Sequence, residues 1–191
     1  MGLFGRKKND KQRTYDLDDK YESLHSRGQY DEAIACCDEV ITLDPENNLA
    51  WLNKGNSLIK LGKSEEAIAC YDKVIQFEDP WHSESALFGK GTTLFRLERY
   101  EESLACFDEA IRLHNPGTVT SIHLYSVLNS KGMVLDALGK YEEAIACYDE
   151  VNKGVPEYLE GWNLKGHALK ELGRYEEAEQ CFAKAKELEE S

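Results

Sequence analysis

No apolar run in this chain approaches the roughly 18–20 residues of a membrane span. The start Met1-Gly2-Leu3-Phe4 is too short an apolar stretch for a secretory signal. Arg6 stands where N-myristoylation wants Ser or Thr. These absences make the cytoplasm the default location and exclude stable membrane anchoring. Positive charge is scarce too: 23 Lys and Arg against 36 Asp and Glu give a formal charge of −13. It is unevenly placed, since residues 1–13 hold Arg6, Lys7, Lys8, Lys11 and Arg13 against Asp10, a net of +4 that leaves −17 for the rest. A body this acidic repels phosphate backbones, which argues against nucleic acid as a partner. Residues 1–13 read as a basic, disordered tail, whose charges bind an anionic surface only weakly without lipidation.

Chemistry is equally sparse. There is no H-E-x-x-H, no G-x-x-x-x-G-K-[ST] loop and no G-x-G-x-x-G loop. His25, His82, His114, His123 and His167 are scattered. The six cysteines include no C-x₂-C pair of the kind a metal site uses. The sequence therefore predicts no enzyme activity, no cofactor and no metal.

What is present is repetition. The stretch Leu138-Gly139-Lys140-Tyr141-Glu142-Glu143-Ala144-Ile145-Ala146-Cys147-Tyr148-Asp149 has near copies elsewhere. Aligned on Tyr30, Ser64, Tyr100, Tyr141 and Tyr175, the copies lie 34, 36, 41 and 34 residues apart. A period of this size means a stacked solenoid, in which no unit can bury its apolar face alone. Cys36, Cys70, Cys106, Cys147 and Cys181 fall at one position of the repeat. Equivalent helices lie about 10 Å apart, beyond the reach of a disulfide of roughly 7 Å between Cα atoms. The thiols read as small core residues in a reducing compartment.

Within residues 48–81, Trp51, Gly55, Leu58 and Leu61 recur at helical spacing. Gly62-Lys63 breaks that helix, glycine suiting a left-handed backbone at a helix end. Glu65-Glu66 open a second helix, where carboxylates suit the positive end of its dipole, and Ala67, Tyr71 and Val74 form its inward stripe. Asp79-Pro80 closes the unit. The pattern Trp51-x₂-Lys54-Gly55-x₂-Leu58, then Ala67-x₃-Tyr71 and Pro80, resembles the tetratricopeptide repeat. Trp162, Gly166, Leu169, Tyr175, Ala178 and Phe182 repeat it in the last unit. The resemblance implies an all-α, right-handed superhelical solenoid of stacked antiparallel helix pairs. Five repeats are expected at about 14–47, 48–81, 84–117, 118–158 and 159–191. Tyr21 departs from the pattern where a small residue belongs, as do Ser64 and Ser103 in place of Tyr and Ala.

Seven extra residues around Asn115–His123 precede the body of repeat four. They predict a first helix lengthened by one to two turns, with a longer loop as the alternative. On the second helices, Ile34 and Ile41, Ile68 and Ile75, Leu104 and Ile111, then Ile145 and Asn152, should meet the next unit. Glu179 and Lys186 take those places in repeat five and predict a polar end face, so that the chain reads as a complete array.

The resemblance further implies a concave groove lined by the first helices. Its candidate ligand residues are Leu52, Asn53, Asn56, Ile59, Lys60, Phe88, Thr92, Phe95, Arg96, Asn129 and Met133. Solvent-facing Leu52, Ile59, Phe88, Phe95 and Met133 would form an apolar patch of the kind that marks a partner surface; the alternative is packing between neighbouring helices. Asn53 and Asn56 could hold a peptide backbone, and acidic Asp18, Asp19 and Glu22 would favour a ligand with a basic end. The Lys and Asn clamp of chaperone-tail adaptors is not reproduced: Asn53 matches, but Asp18, Glu22, Ser85 and Gly89 occupy the other places. Lys54, Lys90, Lys131 and Lys165 read as structural, with stems along apolar surface and ammonium groups in water. The function expected is a protein–protein interaction scaffold binding a partner peptide or helix. A self-association module, forming a homo-oligomer, and a non-catalytic subunit of an enzyme complex are the alternatives.

Overall fold

A computed structural model describes residues 3–77, 79–114 and 121–190. Among the described residues there are ten α-helices and no strand. They follow as pairs: α1 (Leu3–Ser26) and α2 (Tyr30–Leu43); α3 (Asn48–Lys60) and α4 (Ser64–Gln76); α5 (Pro80–Arg96) and α6 (Tyr100–Leu113); α7 (Ser121–Ala137) and α8 (Tyr141–Gly154); α9 (Leu159–Glu171) and α10 (Tyr175–Glu189). None of them, among the described residues, is long and apolar enough to cross a membrane.

The turn inside each pair has one design. Gly28, Gly62, Gly139 and Gly173 take φ between 72° and 75°, and Glu98 takes the same place with φ 59°. At α3, the Gly62 N–H donates to Ile59 O at 3.0 Å and the Lys63 N–H to Leu58 O at 2.9 Å. This double bond pattern caps the orphan carbonyls of the helix and reverses the chain. Four of the five second helices then carry a Glu-Glu pair in their first turn, and α2 carries Asp31-Glu32.

Two boundaries differ from the sequence expectation. Helix α1 begins at Leu3, whereas the sequence reading starts the repeat domain at residue 14 and leaves residues 1–13 as a tail. Pro80, read as the close of repeat two, is the first residue of α5; proline fits a first helical position, where the N–H it lacks has no intrahelical partner. Helix α7 has 17 residues against 13 in α3 and α9, but α5 also has 17. Residues 115–120, the first part of the insertion, lie outside the described residues.

The chain divides into two compact units, Met1–Thr93 and Leu94–Ser191. In the first, one core gathers Leu17, Tyr21, Ala33, Cys36, Cys37 and Val40 around Ala50 of the next pair. A second gathers Leu58, Ala67, Cys70, Tyr71 and Val74 around Ala86, with Ile34 of the preceding pair packed against it. In the second unit, Leu135, Ala144, Ile145, Cys147 and Tyr148 share one core with Ala168, Leu169, Ala178 and Cys181. Each of these three cores borrows residues from a neighbouring pair, so these pairs have no closed interior of their own.

Candidate protein-binding surface

In the first unit a buried tyrosine of the second helix underlies the first-helix surface. Tyr71 of α4 runs between α3 and α5. A Cβ built on Gly55 would stand 2.7 Å from its Cε1, and one on Gly89 would stand 2.8 Å from its Cζ. The Tyr71 hydroxyl donates to Oδ1 of Asn56 at 2.9 Å. Burial pushes this phenol well above its usual range, which keeps it a neutral donor. Asn56 is itself exposed, so the bond fixes the amide at the surface with its nitrogen free to turn outward.

The remaining candidates sort by depth. Lys60 and Arg96 are exposed. Leu52, Ile59, Phe88, Phe95 and Met133 are half-buried, not the fully solvent-facing patch anticipated. Leu52 and Ile59 reach the margin of the core around Leu58 and Tyr71, and Phe95 packs on Tyr100 with ring centroids 5.7 Å apart. Thr92 bonds its own helix, donating through Oγ1 to Gly89 O at 3.0 Å. Asn53 and Asn129 are 8% and 7% exposed, so their side chains belong to the helix junctions. The pairing of Asn53 with Asn56 as two surface amides is therefore replaced by Asn56 alone.

The second unit repeats the device with an acid. Tyr148 of α8 lies against Gly132, where a Cβ would meet Cε1 at 2.5 Å, and its hydroxyl donates to Oδ2 of Asp136 at 2.7 Å. Burial raises the Asp136 carboxyl above its ordinary value; Glu171 adds to this, while the Tyr148 bond and His167 oppose it. Burial, then the Asp136 carboxylate, pushes the Tyr148 phenol up. In the first pair the geometry is inverted: Tyr21 of α1 is the large residue, and its hydroxyl donates to the Asn53 carbonyl at 3.1 Å. His25 Nδ1 lies 3.0 Å from Ser57 Oγ beside it. Burial lifts Tyr21 to about 12 despite a bond to Ser57.

The four lysines before the small residues are not solvated stems. Lys54 bonds Asp38 at 2.6 Å, Lys90 bonds Asp72 at 2.6 Å, Lys131 bonds Asp108 at 2.7 Å and Lys165 bonds Asp149 at 2.5 Å. Each aspartate sits on the second helix of the preceding pair, so the ladder ties pair to pair. With the aspartates half exposed, each rung contributes on the order of 0.2–1 kcal/mol. The thiols lie inside: Cys36, Cys37, Cys70, Cys106, Cys147 and Cys181 are buried and not in disulfides. Burial raises Cys37 to about 12 and Cys70 and Cys147 to about 11. Among the described residues, no group of three or more His, Cys, Asp or Glu could hold a metal ion. Glu179 and Lys186 are exposed on α10. Sequence reasoning missed Glu84, which is buried in α5.

Antiparallel helix pairs with tight left-handed turns, sharing cores between neighbouring pairs within each unit, define a helical-repeat interaction scaffold. The chain belongs to the tetratricopeptide repeat family, whose models match residues 22–62, 49–78, 84–114, 125–153 and 159–191. Among solved structures it is similar to MamA, at 24% identity over 94% of this chain and 93% of that one, with a TM-score of 0.80. MamA 41-end from Desulfovibrio magneticus RS-1 matches at 19% identity, 93% and 96% coverage and a TM-score of 0.81. YrrB, described as a TPR protein with an unusual peptide-binding site, matches at 19% identity, 98% and 92% coverage and a TM-score of 0.74. No curated protein matches the chain.

Proposed function

We propose that this chain binds an extended or helical segment of a partner protein on its first-helix surface, and carries out no chemistry itself. The observation that supports the reading is the Asn56 amide, held by Tyr71 at the surface among half-buried Leu52, Ile59 and Phe88, with Lys60 one turn away. Apolar side chains of a ligand would complete the burial of these residues, and its backbone would bond the amide. Thr92 flanks the same surface. Phe95, Arg96, Asn129 and Met133 belong to the second unit, where Asn129 would act through packing and the other three through contact. The exposed Asp19 and Glu22 on α1, with half-buried Asp18 beside them, favour a ligand with a basic end. The peptide-binding site described for YrrB is a precedent for the fold in this use.

The test uses exposed positions, so that folding is not at stake. Wild type and an Asn56→Ala/Lys60→Glu variant, matched by circular dichroism, are used to capture partners from the source lysate. A protein held by wild type and lost by the variant supports this surface. Equal capture by both assigns binding elsewhere, and a doubled mass by light scattering without capture favours self-association.

A further inference from the structure

The seam between α8 and α9 differs from the other seams along its length. At its lower end it is a tight apolar contact, with Ile145 and Tyr148 of α8 in one core with Ala168 and Leu169 of α9. Its upper end is built from different residues. Asn152 stands where the earlier repeats have Ile41, Ile75 and Ile111. Gly161 of α9 stands where they have Ala50, Ala86 and Val127.

Asn152 is 5% exposed, and neither its Oδ1 nor its Nδ2 has a hydrogen-bond partner. Its Oδ1 presses towards Gly161, where a Cβ would lie only 2.4 Å away. An amide shut away from water without partners opposes the closed state, and a closed state that opposes itself opens more often. Two further features loosen the same end. A pocket of about 140 Å³, lined by Tyr125, Ser126, Val151, Val155 and Tyr158, adjoins it and leaves open space beside the α8–α9 connection. The first turn of α9 also lacks a side-chain cap at Tyr158, whereas Asn47 caps α3 by accepting from the Ala50 N–H at 2.9 Å.

We propose that the α8–α9 seam is a movable joint: it opens from the Asn152 end, lifting the first turn of α9, while the Ile145–Leu169 end stays closed. The opened state lets water reach both amide atoms of Asn152, which is what drives it. The scaffold thereby has a flexible junction set by two residues, Asn152 and Gly161, where the earlier repeats carry isoleucine at the first of these positions.

Hydrogen exchange of the full chain, read by mass spectrometry, tests this. In wild type the amides of residues 159–163 should exchange faster than those of 48–52, the matching turn of α3. Asn152→Ile restores the residue of the other repeats, and Gly161 leaves room for it. It should slow exchange over 159–163 about tenfold, equivalent to about 1.4 kcal/mol, with little change over 165–171. Asn152→Ala removes the amide without adding bulk and should also slow exchange. If Ala speeds exchange instead, the amide holds the seam closed and the proposal fails. It fails equally if 159–163 and 48–52 exchange alike in wild type.

Discussion

The ring of Tyr71 lies on the bare Cα of Gly55, so that a Cβ there would meet Cε1 at 2.7 Å. Gly89 approaches the same ring, where a Cβ would meet Cζ at 2.8 Å, and Tyr71 is fully buried. With both glycines against one buried ring, the room for it to shift is small. Gly55→Ala gains about 1 kcal/mol of helix propensity but forces an overpacking cost of about 1–3 kcal/mol. The net expectation is destabilisation, seen in calorimetry as a fall in Tm of roughly 2–4 °C per kcal/mol. Adding Tyr71→Leu should reverse the sign of the Gly55→Ala effect, because the smaller side chain releases the contact. A Gly55→Ala variant that is more stable than wild type would show that the ring is not pinned.

The helices and their turns were legible because apolar spacing and the glycine-centred breaks are local signals. Trp51, Leu58, Ala67 and Val74 report their own helix without reference to any neighbour. What crosses from one pair to the next was not legible. Lys54 and Asp38 lie 16 residues apart and their bond depends on how two pairs stack, so the lysine alone reads as a solvated stem. Asn53 and Asn56 are three residues apart on α3, yet one is buried at the junction and the other is exposed. Helical phase places both near the same face, and α1 approaches α3 at Asn53, where the Tyr21 hydroxyl donates to its carbonyl. Pro80 was legible as punctuation but not as the start of α5, since proline both ends and opens helices.

Tyr21 and Cys37 exchange the sizes found in the other pairs. Both are 3% exposed and share one core, with the large ring on the first helix and the small side chain on the second. In the second repeat the same two places hold Gly55 and Tyr71. Tyr21→Gly should cost about 3–5 kcal/mol through the cavity it leaves, and Cys37→Tyr about 1–3 kcal/mol through overpacking. The double variant rebuilds the arrangement of repeat two. Its loss in a urea titration should fall short of the summed single losses by at least about 1 kcal/mol. Strict additivity would mean that the two positions do not share their volume.

The buried thiols give stability a pH dependence on the alkaline side. Burial raises Cys37 to about 12 and Cys70 and Cys147 to about 11, against about 8.5 in an unfolded chain. The folded state therefore holds these protons when the unfolded state has lost them. Their contribution is fully present below about pH 8.5 and declines as pH rises through the folded values near 11 and 12. Urea midpoints should fall from pH 8.5 to 10.5, and replacing Cys70 by Ala should flatten the slope. Iodoacetamide at pH 8 should label the native thiols more than about tenfold slower than the urea-unfolded ones, because only the thiolate reacts. Equal labelling rates would place the thiols in contact with solvent.

Glu98 adopts φ 59° where Gly28, Gly62, Gly139 and Gly173 sit at 72–75°. Its backbone keeps the full turn, with the Glu98 N–H donating to Phe95 O and the Arg99 N–H to Leu94 O, both at 3.0 Å. The geometry is therefore that of the glycine turns, held by a residue whose Cβ crowds its own carbonyl. That crowding costs about 1–2 kcal/mol, and the side chain is exposed and adds no packing. Glu98→Gly removes the strain but also widens the unfolded ensemble by roughly 0.4–1 kcal/mol. The difference still favours glycine, so Tm should rise by about 1–4 °C. Gly62→Ala is the reverse experiment at a turn with open space around its Cα, and it should lower stability through φ alone. A Glu98→Gly variant that melts below wild type would mean that the Glu98 side chain stabilises the turn by more than the crowding costs.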